Sequence, residues 1–319
     1  MAEWLILLLL VPAIVVPVVL LAGFAGCEFL PCPAAVVDSA VGQDVSTITV
    51  TWEPPSDLSN VRTFVFVRTN LSDNTTFSFF VATATPTFDD TGHFRGDHGL
   101  EPATLYQYVL RIVCSNVIHT SDPVTGTTLG FETTFDETGA FSADSTGWEG
   151  FTLVQRIEAA ALTPISRTRV AQVRITLYAS SMGDASIDRI FISAPAPPSA
   201  TNPNPNPYDS APDLTAVPLP NTPLVIPANT FVTLPVTLHG RGVDYVVQPQ
   251  SQPLLIAVDF TAPPTASAVR EAVNVPAGRA VAYWHQGAPE AMRQMRSAGY
   301  QPGPAGARAV YLVGKVEIG

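Results

Sequence analysis

Basic side chains are scarce. The 319 residues hold 16 Lys and Arg against 27 Asp and Glu, a formal charge of −11, and Lys315 is the only lysine. That balance gives no electrostatic drive toward a phosphate backbone, so nucleic acid is excluded as a partner. Histidine is sparse too: His93, His98, His119, His239 and His285 are dispersed without ligand spacing. There is no Gly-x-Ser-x-Gly elbow, no phosphate-cradling Gly-x-x-x-x-Gly-Lys-Ser/Thr, no dinucleotide fingerprint and no His-Glu-x-x-His. The common hydrolase, nucleotide and zinc chemistries therefore lose their usual carriers, and no cofactor, metal or catalytic residue is assigned. With 30 prolines and 21 glycines, the chain suits short strands joined by turns and leaves little room for long helices. The expected class is all-β.

Charge also avoids the amino end. Trp4 to Gly26 carries none, and at a rise of 1.5 Å per residue such a run covers about 30 Å of hydrocarbon. Residues 1–27 therefore read as a transmembrane or signal-anchor helix, with Pro12 and Pro17 kinking rather than abolishing it. The rest of the chain is placed outside the cytoplasm, at a cell surface or in a periplasm. Phe24-Ala25-Gly26-Cys27 resembles a bacterial lipoprotein cleavage box, which would make Cys27 a lipidation site. A plain anchor, or a small apolar residue at the membrane edge, are the other readings of Cys27. In an exported chain with three cysteines, Cys32 and Cys114 are the natural disulfide pair; three unpaired thiols are the alternative.

Thr47 to Trp52 alternates apolar with polar residues and stops at Pro54-Pro55, which predicts a half-buried strand with Ile48, Val50 and Trp52 inward. Val61 to Arg68 and Thr76 to Thr83 add β-rich runs, and Tyr106, Tyr108, Leu110 and Ile112 share one face of the next. Trp52 before a double proline, Phe88-Asp89-Asp90-Thr91-Gly92, and Leu100-x-Pro102-x-Thr104-x-Tyr106 together resemble a fibronectin type III domain and its tyrosine corner. The resemblance covers roughly residues 33–128. It implies a seven-stranded sandwich used as a spacer or binding platform, within a domain of 28–128, and it implies no catalysis.

Residues 129–319 form the second expected domain. Candidate strands lie at 148–161, 169–178, 185–193, 223–226, 230–238, 254–260, 280–284 and 309–317, and the Ile187-to-Ile190 spacing demands a bulge or turn. The pattern is similar to jelly-roll β-sandwiches of carbohydrate-binding and phage tail-associated modules. The Pro/Asn-rich stretch 194–223 reads as an exposed loop. Pro289 to Ala298 is the one helical candidate, with Pro289 in its first turn and Gly299 as its stop.

The expected function is a membrane-tethered, non-enzymatic binding or adhesion protein recognising a surface glycan or protein. A phage virion component, and a glycoside hydrolase or lyase using carboxylates such as Asp136, Glu137, Glu149, Glu158 and Asp188, are the alternatives. Exposed aromatics would serve a glycan as stacking platforms, and Trp148, Tyr178, Tyr283 and Trp284 are the candidates, with Tyr245 beside them. Arg95-Gly96-Asp97 matches an integrin-type tripeptide, His93, Asp97 and His98 could be drawn as a metal site, and Asp184 and Asp188 as a calcium site; solvated turns are the preferred reading of all three.

Overall fold

The computed structural model describes residues 32–81, 85–97, 99–164, 172–212, 214–237, 252–273, 275–302 and 309–319. The amino-terminal run and Cys27 lie outside these, as does Tyr245. Among the described residues the regular structure is β, apart from two single 3-10 turns, and no helix is long and apolar enough to cross a membrane.

The first sandwich comprises β1 (Val37–Asp44), β2 (Thr47–Trp52), β3 (Val61–Asn70), β4 (Thr76–Phe80), β5 (Thr87–Asp90), β6 (Leu105–Cys114), β7 (Ile118–Thr120) and β8 (Val124–Thr127). One sheet runs β1-β2-β5; the other runs β4-β3-β6-β7, with β8 also on β6. This is the strand order of a fibronectin type III-like sandwich, with its last strand divided where Ser121 Oγ accepts from the Leu110 amide. Alternation puts Ile48, Val50, Phe64, Phe66, Tyr108, Leu110 and Ile112 at zero exposure between the sheets, each side chain contributing about 1.5–3 kcal/mol by leaving water. Trp52 packs 5.0 Å from Phe64 and donates its indole N–H to the Thr85 carbonyl. The Glu101 amide donates to the Tyr106 hydroxyl at 2.7 Å, closing the tyrosine corner. Cys32 and Cys114 form a disulfide with their Cα atoms 5.9 Å apart, pinning the segment before β1 to the end of β6.

The second sandwich begins with β9 (Glu132–Asp136), β10 (Ala143–Thr146), β11 (Phe151–Ile157), β12 (Gln172–Tyr178), β13 (Ala185–Ser193), β14 (Thr215–Ala216) and β15 (Leu224–Ile226). It continues with β16 (Phe231–Thr237), β17 (Leu254–Phe260), β18 (Ala268–Val273), β19 (Ala280–Gln286), β20 (Gln301–Pro302), β21 (Ala309–Tyr311) and β22 (Val313–Ile318). One layer is β14-β13-β17-β11-β19-β20, with β15 also on β13. The facing layer joins β16-β12-β22-β9 to β10-β18-β21 through Leu312, whose φ of 63° bends the closing strand from one sheet into the other. The register of β13 against β17 shifts between Ile187 and Arg189, and Ile187, Ile190 and Ile192 all reach the core.

Two segments differ from the sequence reading. Pro289 to Ala298 forms no helix; its amides are taken by carboxylates, two of them from distant parts of the chain. Asp259 Oδ1 accepts from the Glu290 and Ala291 N–H groups as well as the Thr152 hydroxyl, Asp209 Oδ1 from the Arg296 N–H, and Glu290 Oε2 from the Ser297 N–H. The local stop and start signals are outweighed by these buried bonds. The Pro/Asn-rich stretch is exposed only in part. Tyr208, Asp209, Ser210 and Ala211 are buried, and Tyr208 stacks on Tyr300 at 4.6 Å over the outer face of β11 and β17. These straps bury β17 on both faces, which is why all seven of its residues are inaccessible.

Candidate binding site

Tyr178 ends β12 and pairs in register with Phe231, the first residue of β16. Their rings lie 5.2 Å apart, and Phe141, presented by the 3-10 turn Thr138–Ala140, lies 5.3 Å from Tyr178. Gly314 makes this arrangement possible. The pairing of β12 with β22 skips it, leaving Gly314 as an extra residue on a bulge. A Cβ there would meet Phe141 Cε2 at 2.6 Å and Tyr178 Cε2 at 2.7 Å, so the two rings rest on bare backbone. Phe231 remains 61% exposed, and no described neighbour covers it as core.

The three rings line a groove of about 240 Å³ together with Thr138, Ala179, Asn229, Thr230 and Arg270. Asn229, at φ 60°, turns the chain back and donates its N–H to the Ser180 carbonyl. Arg270 reaches Asp144 at 3.2 Å, and Asp144 also accepts from the Ser181 amide and hydroxyl. The Ser181 hydroxyl bond is the main reason the Asp144 carboxyl is held at about 2, below its ordinary range; the Ser181 amide, Ser180 and Arg270 add to the effect and burial opposes it. Burial raises the Tyr178 phenol, with Asp136 adding to the rise and Lys315 opposing it. The hydroxyl therefore stays a donor at neutral pH. The result is a shallow concavity with stacking faces, a phenolic donor, an amide and a guanidinium at its edge. It is smaller than the ~300–1,000 Å³ of enclosed ligand sites, which suits one ring of a polymer rather than a swallowed molecule.

The other aromatic candidates are placed differently. Trp148 is 6% exposed and packs against Phe151, Phe260, Trp284 and Tyr311, so it serves the core and offers no face to a ligand. Trp284 packs on that same cluster, and Tyr283 packs against Tyr208 of the outer strap. Of the four, Tyr178 lines the groove described above. Phe141, Phe231 and Gly314 were missed by sequence reasoning; the signal that could have found Phe231 is an aromatic at the start of a strand just after the turn residues Asn229 and Thr230.

Most of the remaining candidate residues bond to their own surroundings. Asp97 of the Arg95-Gly96-Asp97 tripeptide turns inward onto Arg68 and caps the Gly99 amide, so the tripeptide is not displayed as a unit. His93 bonds the Thr91 carbonyl, and His98 lies outside the described residues. Asp184 accepts from the Ala228 amide and Asp188 from the Thr261 hydroxyl. Among the described residues no group of three His, Cys, Asp or Glu is arranged to hold a metal. Of the carboxylates considered for hydrolysis, Asp136 accepts from Thr138, Glu137 from Arg279, and Glu158 from Arg156.

No protein-family model matches the chain, and no curated protein matches it. Among solved structures, it is similar to the FN1–FN3 domains of chicken CNTN1 at 12% identity, covering 89% of this chain and 67% of that one, with a TM-score of 0.28. It is also similar to a two-domain fibronectin type III segment of chicken tenascin at 10% identity, covering 88% of this chain and 97% of that one, with a TM-score of 0.23.

Proposed function

We propose that this chain is a non-enzymatic binding protein, tethered through residues 1–27 on the outer side of a membrane. In this reading the fibronectin-like sandwich is a spacer, and the second sandwich recognises a surface glycan through the Tyr178 groove. The observation that carries it is the row of three rings in which Phe141 and Tyr178 rest over Gly314 and Phe231, beside Tyr178, is left exposed. The second sandwich also supports a jelly-roll reading in part. Four of its pairings nest as hairpins of that kind require, β9 with β22, β11 with β17, β12 with β16 and β13 with β15, while β19 adds outside β11. The Cys32–Cys114 disulfide supports an oxidising compartment.

A glycan array probed with the full chain, alongside Tyr178→Ala and Phe231→Ala, tests the reading. A bound glycan whose affinity falls about tenfold or more in each variant, corresponding to about 1.4 kcal/mol, supports it. Binding that is indifferent to both substitutions overturns it.

A further inference from the structure

The first sandwich carries a pocket of its own, at the end where the β3–β4 hairpin meets the segment between β5 and β6. Its volume is about 340 Å³, and its walls include Arg68, Asp73, Phe77, Asp97, Glu101 and Tyr106. The Arg68 guanidinium lies 5.6 Å from the Phe77 ring centroid and 5.5 Å from that of Tyr106. Its charge is already met, by both oxygens of Asp90 at 2.9 Å and by Oδ1 of Asp97. Asp90 is further engaged by the Tyr108 hydroxyl and the Gly92 amide. The guanidinium is therefore a saturated part of the wall and offers no site to an anion.

What is unsatisfied here is negative. The Asp97 side chain is 2% exposed, yet its Oδ2 has no hydrogen-bond partner among the described residues. A buried carboxylate oxygen without a donor is costly, and a donor delivered through the pocket removes that cost. Asp73 and Glu101 stand exposed on the same walls. Three carboxylates against one cation give the lining a formal charge of −2. Space is available above the connecting segment, since a Cβ on Gly96 or Gly99 would meet nothing within 4 Å. The acids are not arranged as a metal cluster, so the ligand they suit is a hydrogen-bonding cation on an aliphatic stem, whose methylenes can lie along Phe77.

We propose that this pocket accepts a primary alkylammonium group, such as the lysine side chain of a partner protein or the end of a polyamine. The spacer module is then a second point of attachment, independent of the aromatic groove.

Amide spectra of the full-length chain, titrated with Nα-acetyl-lysine-methylamide, with spermidine and with the uncharged Nα-acetyl-norleucine-methylamide, test this. The expected result is saturable shifts at Thr75, Thr76, Gly96 and Gly99 with the two cations alone, weakened by salt. The double variant Asp73→Asn, Glu101→Gln should lower the affinity about tenfold, as loss of two exposed charge partners implies, while the Tyr108 and Leu110 amide signals of β6 stay in place. Stronger binding of the lysine derivative assigns the site to a protein side chain, and stronger binding of spermidine to a polyamine. Equal shifts with the norleucine derivative, no saturation with either cation, or unchanged affinity in a folded double variant would each overturn the proposal.

Discussion

Reducing the Cys32–Cys114 bond should destabilise the first sandwich far more than the second. The two cysteines are 82 residues apart, so the bond closes nearly the whole module into one loop. In the chain-entropy account, releasing a loop of that length returns about 4.5 kcal/mol of disorder to the unfolded state. A module of this size loses roughly 1.5 kcal/mol of stability per molar urea, so its midpoint should fall by about 3 M. The assay is hydrogen exchange across a urea series, with and without reductant. Amides of β2, β3 and β6 report the first module, and those of β11 and β17 the second. Reduction is preferable to substitution because Cys114 is itself a buried core residue, and replacing it would add a packing cost to the entropic one. A midpoint change below about 1 M in the first module would refute the loop-closure reasoning. An equal change in the second would refute the separation of the two sandwiches.

Two further outcomes follow from the groove and its border. Gly314→Ala places a methyl carbon within 2.8 Å of both the Phe141 and Tyr178 rings; it should cost about 1–3 kcal/mol by overpacking and weaken glycan binding by pushing the rings off the bulge, as denaturation and affinity measured on the same variant will show. Asp144 is held at about 2 against an ordinary 3.8. Its contribution is therefore complete above its unfolded value and lost as pH falls from 3.8 through about 2. Solvent screening limits the effect to about 1–2 kcal/mol, and Asp144→Asn should flatten the urea midpoint against pH in that interval.

The first sandwich was legible because its determinants are local. Alternation along β2 and β6 and the spacing from Leu100 to Tyr106 are properties of short windows, and the core follows from them. The second was legible as strands but not as a site. Nothing near Gly314 in sequence says that Phe141, far upstream, and Tyr178, on the neighbouring strand, will meet above it. Pro289 to Ala298 was misread for the same reason. Its helical signals are local, whereas the acceptors that hold it, Asp209 and Asp259, arrive from other parts of the chain. Trp148 shows the opposite limit: residue type suggests a platform, and only the closed sandwich reveals that Phe260 from one layer and Tyr311 from the other already pack against it.

The bend at Leu312 has a consequence for how the second sandwich comes apart. One ribbon, Ala309–Ile318, supplies an edge to the three-stranded sheet and an interior strand to the four-stranded one, and a lone bridge between Ala179 and Val269 rivets the same border. The two sheets thus share a spine instead of abutting. Fraying that begins at β10 bares β18, which stays held by that spine through β21, and releasing it there also breaks the bridge to Ala179 at the end of β12. The layer has no seam to part along, and it should open as one cooperative unit.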